Sequence, residues 1–147
     1  MQPLTIRPAT AGDLPEIRKI LDAALLGSED AGAPIINFFV AEMNGRIVGT
    51  IGLEIYRHTG LLRSAAVLPS FQKRGIGEKL VSTLIEHARA QNITKLVLLT
   101  TTAEDHFSRR GFIRVDRGRI RGEILNSTQF SGACPASAVV MEMQIQP

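Results

Sequence analysis

Apolar residues along this 147-residue chain fall into short alternating or continuous runs, broken by two longer stripes at helical spacing. Leu4–Arg7 reads as a short strand. Leu14, Ile17, Leu21, Ala24 and Leu25 share one helical face, and Thr10 or Asp13 stands ready to cap it, which predicts a helix through about Leu26. Gly27–Pro34 is rich in turn formers and reads as a loop. Phe38–Glu42 is a strand. Asn44 and Gly45 follow as a hairpin signal, because both residues tolerate the positive φ of a tight turn. The return strand is Arg46–Tyr56, and a turn at Arg57–Gly60 leads into another strand, Leu61–Leu68. Ile76, Leu80, Val81, Leu84, Ile85 and Ala88 line one face of a second helix, which ends near Asn92. Lys95–Thr101 is a continuous run of the buried-strand type. Ala103–Arg110 reads as a short helix closed by Gly111. Phe112–Arg117 begins a strand, and Ala136–Ile145 is the last one. Residues 118–135 show no clear period; a short helix around Arg121–Thr128, then loop, is one reading. With no repeat or linker in view, residues 1–147 read as one domain. Strands and helices in this order predict an α/β (α+β) chain with a mixed sheet and helices packed against it.

Composition narrows the picture. Apolar residues make up 44% of the chain, enough to fill a core. No run reaches the roughly 18 apolar residues of a membrane span, and no signal-peptide pattern is visible at the start. The single Cys134 has no partner for a disulfide or a thiolate zinc site. These features suggest a cytoplasmic protein without metal. The net charge of +3 is unevenly spread. Residues 1–56 carry 4 Lys/Arg and 7 Asp/Glu, residues 57–121 carry 13 and 5, and residues 122–147 carry 0 and 2. The middle of the chain is therefore where an anion would be held, or else a solvated basic face. Nucleic acid is disfavoured, since there is no Trp, a single Tyr and no interleaving of basic and aromatic residues.

Within that basic middle, Gln72-Lys73-Arg74-Gly75-Ile76-Gly77 lies between an apolar strand and an amphipathic helix. A glycine-bearing turn that opens a helix presents unpaired N–H groups and the positive end of the helix dipole. Gly75 and Gly77 remove Cβ atoms, and Lys73 and Arg74 add charge, so a pyrophosphate can rest on the backbone. The pattern fits neither GxxxxGK[ST] nor GxGxxG, because Leu80 stands where the third glycine would be.

This Q-x-x-G-x-G run, after a strand ending Ala66-Val67-x-Pro69, closely resembles motif A of the GNAT acetyltransferases. The opening strand, the hairpin, the motif A helix and the Phe107–Phe112 segment come in that family's order. The resemblance implies a GNAT fold, with a splay between two parallel central strands and acetyl-CoA as co-substrate. It implies that amides of Lys73, Arg74, Gly75, Ile76 and Gly77 bind the CoA pyrophosphate. Ala66 and Val67 would pair with pantetheine, and the Val67 N–H would polarise the thioester carbonyl. Arg109 or Arg110 would either reach CoA phosphates or lie in solvent. The tyrosine that serves many GNAT enzymes as general acid is replaced by Phe107, which can pack on pantetheine but cannot donate a proton.

Gly60–Ser64, Leu99–Asp105, Thr128–Phe130 and Cys134–Ala138 together are similar to the small acetyltransferases of arsenic-resistance operons. Those are similar in turn to phosphinothricin-type enzymes and to the acetyltransferase domain of N-acetylglutamate synthase. The implied acceptor is the amine of a small amino-acid-like compound. Arg63 and Ser64 would bind its carboxylate. Glu54, in the apolar run Ile51–Tyr56, is either a base whose pKa burial raises or an ordinary outward carboxylate. His58 and His106 are either proton acceptors or surface residues, and Cys134 is either a metalloid ligand or a buried structural residue. Arg117, Arg119 and Arg121 alternate, so an extended backbone would put them on one face. The acceptor is expected near Glu54, Arg63 and the loop at 27–37, and the turn-rich, then apolar 126–140 region suggests a homodimer. The competing readings are acetylation of a protein N-terminus or lysine, and a CoA-binding sensor without catalysis.

Overall fold

A computed structural model describes residues 3–146. Its strands are β1 (Leu4–Pro8), β2 (Ile36–Met43), β3 (Arg46–Tyr56), β4 (Thr59–Val67), β5 (Lys95–Thr100), β6 (Ile113–Val115) and β7 (Val139–Gln144). They hydrogen-bond in the order β1-β2-β3-β4-β5-β7-β6. The β4–β5 pair is parallel, whereas β1–β2, β2–β3, β5–β7 and β6–β7 are antiparallel, so the sheet is mixed as expected. The described β4–β5 pairing stops at Leu61↔Val97, although β4 runs on to Val67 and β5 to Thr100. Ser64, just beyond that point, has φ +56 inside a strand. The chain forms two compact units, one of the residues up to Glu54 with Ser64–His87, the other of Ile55–Arg63 with the chain from Ala88 onward.

In the first unit, helix α1 (Leu14–Ala23) puts Ile17, Ile20 and Leu21 against Ile36, Phe38 and Val40 of β2. The second helix, α2 (Ile76–Ala90), whose last turn from Ala88 belongs to the second unit, buries Ile76, Leu80, Val81, Leu84 and Ala88 of the stripe read from the sequence, and leaves Ile85 half-buried. Each large side chain so buried contributes about 1.5–3 kcal/mol. The two helices take opposite faces of β3. A Cβ on Gly52 would meet Ile36 and Phe38 at 3.1 Å, on the α1 side, whereas one on Gly49 would meet Leu80 of α2 at 3.1 Å. Helix α1 is shorter than its apolar run predicts. It stops at Ala23, Leu25 takes φ +59, and the Leu25 side chain is 92% exposed rather than on the core face.

The start of α1 is held by charge. Arg7 of β1 grips Asp13 with two bonds, Nη1 to Oδ2 at 2.7 Å and Nη2 to Oδ1 at 3.1 Å, and donates through Nε to Glu42 of β2 at 2.7 Å. The Thr10 amide also donates to Asp13 Oδ2, at 2.7 Å. The Arg7 guanidinium first, and the Thr10 amide second, hold the Asp13 carboxyl well below the usual carboxylate range. A depressed folded-state pKa means that the unfolded chain binds the proton first. The contribution of Asp13 is therefore complete above the ordinary carboxylate pKa of about 3.9 and is lost as pH falls below it. Asp13→Asn should cost about 1–2 kcal/mol at pH 7. In urea melts at pH 7 and pH 3, the gap between variant and parent should shrink at the lower pH.

In the second unit, Leu61 and Val97 pack with Ile120, Ile124, Phe130 and Val140. Helix α3 (Glu104–Ser108) is shorter than expected, and Gly111 closes its turn at φ +100. The stretch without a clear period forms three short helical turns, at Arg117–Arg119, Glu123–Asn126 and Gln129–Ala133. Arg117, Arg119 and Arg121 consequently do not share an extended face. Arg117 stacks on Phe130, Arg119 reaches Glu142, and Arg121 bonds back to the Gly118 carbonyl. Among the described residues, no helix is long and apolar enough to cross a membrane, and no three His, Cys, Asp or Glu side chains gather to hold a metal.

Candidate active site

The elbow is shaped as it leaves β4. The Leu68 N–H donates to the Val48 carbonyl of β3 at 2.8 Å. Successive amides of an extended chain point to opposite sides, so the Val67 N–H is directed away from β3. The Val67 carbonyl accepts Gln72 Nε2–H at 3.0 Å, which pins this residue from the elbow side. A short turn at Pro69–Phe71 reverses the chain. Lys73 (φ +64) and Gly75 (φ +81) then take left-handed conformations at alternate positions, a curl that brings backbone amides together around an anion. The Lys79 N–H to Gly75 carbonyl bond, 3.2 Å, opens the α2 ladder, so the amides of Ile76 and Gly77 precede it without an intrahelical acceptor. Nothing stands within 4 Å of a Cβ placed on Gly75, so an anion can reach the backbone there. The Ile76 side chain is core, and only its amide faces this task. Gly49 lets the end of β4 lie close to β3, since a Cβ there would meet the Ala66 carbonyl at 3.3 Å and Val67 at 3.4 Å.

Glu54, in the same unit, is 2% exposed and lies opposite Ile36 of β2. Two residues beyond Gly52, it shares the α1 face of β3, so the outward-carboxylate reading does not hold. On that face an apolar cavity of about 270 Å³ is lined by Leu14, Ala31, Pro34, Ile36 and Phe38 among others. The loop expected near the acceptor supplies part of that wall.

In the second unit, Arg63 is 4% exposed, and its Nη1 donates to Thr128 Oγ1 at 3.3 Å, across 65 positions of sequence. Ser64, which belongs to the first unit, is half-buried and takes φ +56. Arg117 lies 5.4 Å from the Phe130 ring centre and donates to the Phe130 carbonyl at 3.2 Å. Cys134 donates to Gln129 Oε1 at 3.0 Å. Burial pushes its thiol pKa up, against the opposing pull of Arg117 and Arg63, so both guanidiniums act on this patch. Phe107 is buried and packs edge-on against His106 and Phe112, with ring centres 5.1 and 5.6 Å away. Arg110 bonds its own helix at the His106 carbonyl, 2.6 Å. Sequence reading missed Thr128 and Arg117 as companions of Arg63. It also missed Glu142, buried on β7 between Lys95 at 3.8 Å and Arg119 at 3.4 Å. A lone acid in an otherwise apolar strand was the available signal for the last.

By architecture the chain is an α/β protein with an anion-accepting elbow at the start of a helix. The model of the acetyltransferase (GNAT) family matches residues 7–114, and the chain belongs to that family. An amino-acid acetyltransferase of Neisseria meningitidis is 30% identical over 118 residues, covering 74% of this chain and 27% of the relative. One of Mycobacterium tuberculosis is 27% identical over 131 residues, covering 82% and 75%. The chain thus spans only about a quarter of the meningococcal relative's length. Among solved structures, N-acetylglutamate synthase of Neisseria gonorrhoeae, complexed with coenzyme A and N-acetyl-glutamate, matches with a TM-score of 0.84 at 24% identity, covering 98% of this chain and 35% of that one. A Mycobacterium tuberculosis protein in complex with CoA matches at 0.80 and 22%, covering 97% and 99%. These likenesses show the GNAT fold.

Proposed function

We propose that the chain is an acetyl-CoA-dependent N-acetyltransferase that modifies the amino group of a small amino-acid-like acceptor by direct attack in a ternary complex. The observation that carries this reading is the elbow, where two left-handed residues and an unshielded Gly75 open the helix amides to a pyrophosphate. Bound acetyl-CoA supplies the activated thioester. The amides of Lys73 to Gly77 hold the pyrophosphate, with Lys73 and Arg74 adding charge. The Val67 N–H donates to the thioester carbonyl oxygen, where negative charge grows during attack. Ala66 contributes backbone groups to the pantetheine arm. Glu54 takes the proton from the acceptor ammonium, so that a neutral amine attacks, and the second proton that the nitrogen loses as the amide forms passes to solvent or to the departing thiolate. Phe107 has no proton to give. A thiol with a pKa near 8.5 leaves acceptably as thiolate at neutral pH, so this departure from the family pattern is tolerable.

The acceptor's carboxylate is assigned to Arg63, whose buried fork Thr128 holds in place, with Ser64 as a second donor. Glutamate and glutamate-shaped toxins are the acceptor class this arrangement suits, in keeping with the amino-acid acetyltransferases among its relatives. The test is thiol release from acetyl-CoA with a panel holding glutamate, phosphinothricin, an arsenic-containing glutamate analogue and simple amines without a carboxylate. Release is expected with a carboxylate-bearing member only. Arg63→Gln should raise the KM for that acceptor about 10–100-fold with little change in CoA affinity. Release with carboxylate-free amines alone would reject the assignment of Arg63. CoA binding without release on any member would favour a protein acceptor or a sensor.

A further inference from the structure

Beyond the pyrophosphate cradle, the same unit gathers two arginines on one aromatic ring. Phe71 ends the short turn between β4 and the cradle. Arg74, immediately before Gly75, has its guanidinium carbon 5.1 Å from the Phe71 ring centre. Arg46 comes from a remote part of the sequence, the first residue of β3 after the Asn44-Gly45 turn, and its guanidinium carbon lies 5.6 Å from the same centre. The placement is fixed by backbone. Asn44 (φ +54) and Gly45 (φ +74) make the tight hairpin, Arg46 pairs with Met43, and two residues later Val48 accepts the Leu68 amide from the segment leading to Phe71. Among the described residues neither arginine forms an ion pair with a carboxylate; their described contact is the ring. Cation–π contact orients each guanidinium without neutralising it. Two positive charges at one ring, with Lys73 adjacent to Arg74 in sequence, make a cationic patch continuous with the cradle, which attracts a further anionic group.

We infer that Arg46, Phe71 and Arg74 form a subsite for a phosphomonoester, the 3′-phosphate of the cofactor's ribose. The inference rests on the reading of the elbow as the CoA pyrophosphate cradle. CoA carries its pyrophosphate on the 5′ oxygen and a separate phosphate on the 3′ oxygen of one ribose. A second anion site one sugar away from the cradle is what such a ligand needs, and Arg74 is the residue that joins the two. A monoester dianion presents three acceptor oxygens and suits guanidinium forks. Arg46 supplies selectivity rather than chemistry: it distinguishes CoA from the otherwise identical 3′-dephospho-CoA.

Calorimetric titration of the full chain with CoA and with 3′-dephospho-CoA tests this without relying on turnover. The parent should bind CoA roughly tenfold tighter, consistent with one added charge-assisted contact set. Arg46→Gln should weaken CoA to about the level of dephospho-CoA and leave dephospho-CoA affinity unchanged. Phe71→Leu, which removes the ring and keeps an apolar side chain, should narrow the difference between the two ligands. Equal affinity of the parent for both ligands would overturn the subsite. So would equal weakening of both ligands by Arg46→Gln, since that marks a residue that merely props the elbow. If neither ligand binds the parent, the cradle reading fails and takes the subsite with it. Thermal melting of each variant near the parent's Tm establishes that a changed affinity does not come from a damaged fold.

Discussion

Glu54→Gln is expected to lower kcat by about 10²–10⁴-fold, the range typical of losing a positioned proton acceptor, while acetyl-CoA still binds. Burial sets this expectation. At 2% exposure, opposite Ile36 and next in line to a glycine covered by the Phe38 ring, the carboxylate has little water around it. A carboxylate placed there would meet the acceptor's amine with little competition from bulk water, the setting in which a positioned proton acceptor is most effective. Glutamine keeps the shape and the hydrogen-bonding oxygen but cannot take a proton. The expected signature is loss of rate with acceptor KM changed little, together with partial recovery at high pH, where the free amine is already abundant. If Glu54→Gln turned over within threefold of the parent, Glu54 would be a structural carboxylate and the proton would have to leave by another route.

The second large effect is expected at Gly75, read through a matched pair of variants. Asn and Asp both tolerate the left-handed backbone that Gly75 adopts at φ +81 better than other side chains do. They fill the same open space and differ in charge. Unit charges about 4 Å apart interact by about 4 kcal/mol at an effective dielectric near 20, and solvent at this exposed site reduces that figure. Gly75→Asp should therefore weaken CoA about 100-fold more than Gly75→Asn, and the difference should shrink in high salt. Equal weakening by the two variants would place the pyrophosphate elsewhere and leave Gly75 with a purely conformational role.

Much of this is legible in the order of the amino acids alone, for local reasons. Strand β3 has the predicted bounds because its neighbours are unambiguous: Asn44-Gly45 before it and the polar pair Arg57-His58 after it. The α2 stripe is legible because Ile76 through Ala88 keep one period over three turns. Leu25 misled because hydrophobicity says nothing about where a helix ends; the helix stops at Ala23, about three residues early, with a left-handed backbone at Leu25, and the side chain went to solvent. The arginines after β6 misled for a different reason. Their partners, Phe130 and Glu142, are set by packing among segments that have no period of their own. The bond from Arg63 to Thr128 and the stack of Arg46 on Phe71 join residues far apart in sequence. Charge and ring are visible in the letters, but their meeting is not.

The Val67 amide has a consequence for anyone who surveys this chain by substitution. Its proposed service is rendered by a main-chain hydrogen, which every residue except proline also carries. A saturation library should thus be nearly silent at Val67 for other β-formers, with proline as the sharp exception. Intolerance should surface instead at Gln72, whose amide pins the Val67 carbonyl, and at Gly49, where any side chain would press on Ala66 and Val67. In such a map the donor itself stays dark, outlined by the neighbours that aim it.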